Sequence, residues 1–82
     1  MSNEWEFLGV CYAEAPFRIG KIKNIWDHEW QEIKGQQAHV KDPTYRQDFT
    51  FDVYKIITDE DEIEFTAGEF SNQVWGIYAR RL

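Results

Sequence analysis

Hydrophobic and polar residues alternate most regularly in the last third of the chain. Ile63, Phe65 and Ala67 are interleaved with Glu62, Glu64 and Thr66, the period-two pattern of a strand with one buried and one wet face. Phe49, Phe51 and Val53 alternate with Thr50, Asp52 and Tyr54 before Lys55-Ile56-Ile57, and Val74 to Arg80 reads as a last strand with Gly76 between Trp75 and Ile77. A glycine there lets a neighbouring aromatic ring lie across the backbone. Gly68 marks a candidate bulge, and Ser71-Asn72-Gln73 can close a tight connection. The expected apolar face holds Phe51, Val53, Ile63, Phe65, Trp75 and Ile77, with Thr66 on the wet side.

The first half of the chain predicts less regular elements. Trp5 to Tyr12 alternates with apolar groups on both sides, Trp5, Phe7, Gly9 and Cys11 on one and Leu8, Val10 and Tyr12 on the other, as in a strand covered on both faces. Pro16 interrupts it, lacking an amide donor and holding Ala15 extended. Phe17 to Lys23 is then a second short strand. Ile22, Trp26, Trp30 and Ile33 follow at intervals of four, four and three, with Asn24 as a cap and Lys34-Gly35 as an ending, which predicts an amphipathic helix over Ile25 to Lys34. Gln36 to Gln47, carrying Asp42-Pro43, reads as a long loop, with a short strand Ala38-His39-Val40 as the alternative.

These elements sum to an α+β fold in the order ββαβββ: an antiparallel sheet of four to five strands with one helix packed on a face, Trp26, Trp30 and Ile33 covering it. An all-β barrel with Phe17 to Ile33 as strands is the alternative. The 82 residues allow one domain spanning 1–82, burying roughly 60 to 65% of its unfolded surface. With 43% apolar residues, including four Trp and six Phe, a core is affordable and disorder is not expected. Cys11 is the single cysteine, which excludes an internal disulfide. No run is long and apolar enough for a membrane span, and the first residues lack a basic start and apolar run, so a cytoplasmic protein is expected.

The net charge of −6 opposes generic attraction to phosphates or anionic lipid and favours a partner with a basic surface. The acids concentrate between Asp59 and Glu64: Asp59, Glu60, Asp61, Glu62 and Glu64. In a turn such charge discourages edge-to-edge aggregation, and it can equally steer a basic partner. Trp26 and Trp30, flanking Asp27, His28 and Glu29, are helix anchors or an aromatic binding face. Arg18, Lys21, Lys23, Arg80 and Arg81 form a basic patch for single-stranded nucleic acid if the second and last strands are neighbours.

No nucleotide loop, nucleophile elbow or metal framework is present. His28 and Glu32 share a face only on the expected helix, and Cys11 between Val10 and Tyr12 behaves as a small hydrophobe. No cofactor or metal is therefore assigned. In size, acidity and aromatic content the chain resembles small single-domain inhibitor and immunity proteins of bacteria and their phages. The reading is a non-catalytic intracellular protein-binding module, an inhibitor, immunity or adaptor protein, acting through the acidic turn and exposed aromatics. Nucleic-acid binding and then small-molecule or enzymatic activity are the alternatives.

Overall fold

A computed structural model describes residues 4–13 and 15–80. Its strands are β1 (Trp5–Tyr12), β2 (Gln31–Lys41), β3 (Asp48–Ile57), β4 (Glu62–Ser71) and β5 (Val74–Arg80), all antiparallel in one open sheet of order β1-β5-β4-β3-β2. Strands β2 to β5 make a meander, and β1 pairs outside β5. Residues 15–30 cross one face of the sheet between the two edge strands.

The expected α+β fold is thereby corrected to a nearly all-β one. Among the described residues the only helical piece is a 3₁₀ turn, Ile25–Asp27. Asn24 does cap it, its Oδ1 accepting from the amides of both Trp26 and Phe17 at 3.2 Å. The turn stops at His28, whose backbone is extended. Two forces end it. Ile25, Trp26, Asp27 and His28 are middling helix formers, and a ten-residue helix is marginal on propensity alone. Against that, residues from Gln31 onward find ladder partners on β3, Gln31 and Glu32 opposite Lys55 and Tyr54 and Gln37 to Lys41 opposite Asp52 to Asp48, with a break between. The expected strand Phe17–Lys23 shrinks to one bridge between Ile19 and Ile22. Half of the expected loop Gln36 to Gln47 is strand, since β2 runs to Lys41, as the Ala38-His39-Val40 alternative required. The barrel alternative has the right class, but the sheet stays open and its Phe17–Ile33 segment is largely a cover.

A single sheet has two faces, and this chain makes both apolar. On the capped face Cys11, Ile56, Phe65, Ala67 and Ile77 are buried under Ile19, Ile22 and Ile25, with Trp26 and Trp30 against them. On the other, the phenylalanine face, Trp5, Ala38, Val40, Val53 and Tyr78 are buried with Phe7, Phe49, Phe51 and Phe70 around them. The single apolar face expected from the sequence is therefore split: Ile63, Phe65, Trp75 and Ile77 lie under the cap, while Phe51, Val53 and Ile33 lie opposite. A bulge does the same to β1. Two residues, Leu8 and Gly9, stand where β5 has one step, between the pairs Phe7–Tyr78 and Gly9–Ile77. Gly9 supports it at φ 145°, a region closed to side chains. Trp5 and Phe7 thus face the phenylalanine side and Cys11 the cap.

Nothing covers the phenylalanine face from outside among the described residues, so the sheet coils to shield it. Tyr78 on β5 donates its hydroxyl to the Lys41 carbonyl of β2 at 2.8 Å, and Arg80 donates to Gln36 Oε1 at 2.8 Å, both across the two strands between. Right-handed strand twist permits that approach. Within the coil, the Phe51 ring lies over Gly68 and the Phe70 ring over Gly76, where any Cβ would collide with them. The ring over Gly76 matches the sequence expectation. The expected bulge lies just beyond Gly68, between Glu69 and Ser71. Thr66, expected on a wet face, is fully buried and donates to the Asp52 carbonyl at 2.7 Å.

Two outcomes are predicted. Phe65, fully buried beneath Trp30, should cost about 3 to 5 kcal/mol on truncation to Ala, through lost transfer energy and the cavity. Thr66→Val keeps the shape and removes one hydrogen bond, costing about 1 kcal/mol. Urea unfolding of the two variants reads the difference, and equal losses would contradict the packing described. The second concerns Tyr78, whose phenol is pushed from 10.0 up to about 12 by burial and then by the Asp42 carboxylate. The folded state holds that proton more tightly than the unfolded one. Its contribution is therefore complete below pH 10.0 and lost as pH rises towards 12. The urea midpoint should fall over that range more steeply for wild type than for Tyr78→Phe, and parallel curves would refute the assignment.

Candidate functional site

The β3–β4 turn is built by its own backbone and one threonine. The Thr58 amide donates to the Asp61 carbonyl at 2.8 Å, and the Asp61 amide donates back to Thr58 Oγ1 at 3.1 Å. Asp61 Oδ1 then accepts from the Glu62 amide at 2.8 Å, which starts β4. Such side-chain-to-backbone bonding is why Thr and Asp favour turns over ladders. The result presents Asp59, Glu60 and Asp61 to solvent in a defined arrangement.

The five sequence-singled acids divide into two sets. No ion pair with another described residue engages Asp59, Glu60 or Asp61. Glu62 and Glu64, already in β4, meet Lys55 at 3.7 Å and Arg80 at 3.2 Å. Strand pairing brings those ions near one another, Glu62 being the diagonal neighbour of Lys55 across β3–β4, and Phe65 opposite Ala79 setting Glu64 beside Arg80 across β4–β5. The Lys55–Glu62 pair is the more solvent-accessible and contributes little to stability, while Arg80 and Glu64 are half-buried.

Beside the turn runs a cleft of about 410 Å³, with Thr58 to Asp61 on one wall and Lys21, Lys23, Asn24, Asp27 and His28 on the other. Its charge is mixed but predominantly acidic: four carboxylates face two ammonium groups. The cap of the sheet supplies the second wall, because the Ile19–Ile22 bridge and the Asn24 cap fix the chain on either side of Lys21 and Lys23.

Trp26 and Trp30 are half-buried and committed to packing. Their rings lie 4.9 Å apart, Trp30 meets Phe65 edge-on at 4.9 Å, and Trp26 meets Trp75 at 5.7 Å. Both indole N–H groups are used internally, Trp30 to the Ile25 carbonyl at 2.9 Å and Trp26 to Cys11 Sγ at 3.2 Å. Buried indoles of this kind are anchors that seek a partner for the nitrogen. Their proximity comes from a folded-back turn, not from the helical spacing that singled them out.

The basic residues are dispersed. Arg18 donates to the Gly20 carbonyl at 3.0 Å, and Lys21 and Lys23 line the cleft with the acids. Arg80 turns to the phenylalanine face, where it pairs with Glu64 and lies 4.8 Å above the Trp5 ring. Arg81 lies outside the described residues. Strand β5 borders β1 and β4, and the second strand that would have completed the patch does not form.

The groups that carry chemistry are likewise apart. Cys11 is buried against the Ala15 carbonyl at 3.1 Å. His39 shares a hydrogen bond with Thr50 Oγ1 at 3.1 Å on the β2 edge, and without a helix His28 and Glu32 lose their common face. Among the described residues no group of three His, Cys, Asp or Glu could hold a metal, and no helix is long and apolar enough to cross a membrane. Tyr54 is raised above its usual value, by burial first and then by the carboxylates of Asp52 and Glu32. It packs on Phe65 and Trp30 within the core.

Sequence reasoning did not single out Val10, Tyr12 and Tyr45, which stand exposed. The signal for the first two is the run of apolar residues on both faces of β1, a pattern that by itself predicts burial on both sides. Comparison of the chain with protein-family models, curated proteins and solved structures finds no match.

Proposed function

We propose that this domain is a non-catalytic intracellular protein-binding module of the inhibitor, immunity or adaptor kind, docking a partner with a basic surface at the Asp59–Asp61 end. The observation that carries this reading is the turn itself. Its backbone is tied by Thr58 and Asp61, while the carboxylates of Asp59 and Glu60 point to solvent without a described cationic partner. Preorganised charge of this kind loses little entropy on docking and attracts its complement over a Debye length, about 8 Å at physiological salt. The adjoining cleft, with Asp27 beside the turn acids, offers a place for a basic side chain to settle. A net charge of −6 acts in the same direction at longer range.

Reversing Asp59, Glu60 and Asp61 to Lys should leave the fold intact, since exposed turn charges add little stability. Binding of the partner recovered from the native host should weaken mainly through slower association, and the loss should shrink at high salt. Association kinetics of wild type and triple variant at two ionic strengths decide the matter. An unchanged association rate would overturn the role given to the turn.

A further inference from the structure

The two edges of the sheet differ in a way that bears on what the domain binds. An edge strand offers a row of unpaired amide and carbonyl groups, which soluble proteins guard with charges, lysines and bulges. The β2 edge is guarded throughout. It exposes Glu32, Lys34, Gln36, Gln37, His39 and Lys41, and its pairing with β3 is broken between Glu32 and Gln37.

The β1 edge is not. From Gly9 to Tyr12 its pairing with β5 is regular, which leaves an outer edge past the Leu8–Gly9 bulge that closes at the Tyr12 carbonyl, where the Ala15 amide donates at 2.9 Å. Its side chains are apolar and exposed, Leu8 by 37%, Val10 by 51% and Tyr12 by 65%. Val10 and Tyr12 stand opposite Gly76 and Val74, so both project to the phenylalanine face. There Val10, Val74 and Phe70 floor a cleft of about 340 Å³ whose far wall is the β2–β3 loop. Tyr45 stands at its rim, 82% exposed.

That rim is rigid. Asp42, itself buried, donates its amide to the Gln47 carbonyl and accepts from the Arg46 amide on its own carbonyl, while its Oδ1 accepts from the Thr44 amide. An exposed aromatic on a hydrogen-bonded loop, across an apolar floor from an edge strand, combines the two components of strand addition: main-chain pairing and a slot for an alternate side chain.

Charge selects the occupant. The chain has no Lys or Arg before Arg18, and the described charges at the start of β1 are Glu4 and Glu6. The one charged side chain on the cleft walls is Asp42, also acidic. We propose that the Gly9–Tyr12 edge of β1 accepts an extended segment of a partner protein, apolar at alternate positions with Lys or Arg between, seating one apolar side chain in the Val10–Phe70–Val74 cleft. This rests on the reading of the domain as a protein-binding module but not on the acidic turn as its contact. A second copy is disfavoured as occupant by the like charge of −6 it would bring.

The probe is a fluorescent peptide of about eight residues alternating Lys and Val, the length of an ordinary strand. Anisotropy should show binding to the full chain at about 0.15 M salt. Methylating alternate backbone nitrogens of the peptide, or exchanging its Lys for Glu, should each weaken binding by about tenfold or more, as should Val10→Lys or Tyr12→Lys in protein whose circular dichroism is unchanged. The methylated peptide keeps the test decisive if both variants fail to fold. Indifference to backbone methylation, or equal binding of the Glu peptide, overturns the inference. So does loss of binding in the Asp59, Glu60 and Asp61 to Lys variant with none on methylation, which would place the peptide at the turn and leave the protein-binding reading standing. Concentration-dependent dimers of the chain alone, dispersed by Val10→Lys, would assign the edge to a second copy and also overturn it.

Discussion

One sheet without a packed helix must shield two apolar faces, and everything else in this fold follows from how it does so. On the capped face the shield is irregular chain. Residues 15–30 lay Ile19, Ile22 and Ile25 on the sheet and close it with Trp26 and Trp30. They need no helix, because Asn24 ties Phe17 to Trp26 and Trp30 bonds back to Ile25. On the phenylalanine face the shield is the sheet. Phe49, Phe51 and Phe70 stack at 5.0 to 6.3 Å, and Phe7 and Tyr78 meet them edge-on or stacked. Rings of that size fit because Gly68 and Gly76 leave the backbone bare beneath them. Coiling then lets Tyr78 and Arg80 reach β2 and hold the arrangement.

The same solution sets the surface. Coiling brings the β2–β3 loop opposite the end of β1, which creates the cleft between Tyr45 and Val10. The cap, for its part, places Lys21, Asp27 and His28 beside the β3–β4 turn and so makes the second cleft. Each surface feature therefore depends on one of the two shields, and the two lie on separate parts of the molecule. The chemistry-bearing groups do not converge at either: Cys11 is sealed under Trp26, and His39 sits on the β2 edge.

The strands with dense apolar content were legible in the sequence. Ile63, Phe65 and Ala67 recur at every second position because all three face the cap, and Trp5–Tyr12 was bounded correctly because apolar residues fill both its sides. Strand β2 was illegible for the opposite reason. As a guarded edge it alternates only at Ala38 and Val40, and the rest reads as loop or helix. The spacing of Ile22, Trp26, Trp30 and Ile33 imitates a helix, yet Ile33 ends on the opposite face from the others. Thr66 misled because a hydroxyl suggests water, whereas here it bonds Asp52 in the interior. Of the site, the position of the acidic turn was legible from its charges alone. The neighbours of that turn, and the exposure of the β1 edge, depend on strand order, which local pattern does not encode.

The central claim is that both faces are apolar and that aromatic rings press on bare glycine backbone within a coiled sheet. Proton NMR of the labelled protein tests it most directly. Rings lying over Gly68 and Gly76 should shift their α protons strongly upfield, with cross-peaks from Gly68 to Phe51, from Gly76 to Phe70, and from the Tyr78 ring to β2. Alpha protons near their ordinary positions, together with helical amide contacts running from Ile25 to Lys34, would contradict the account.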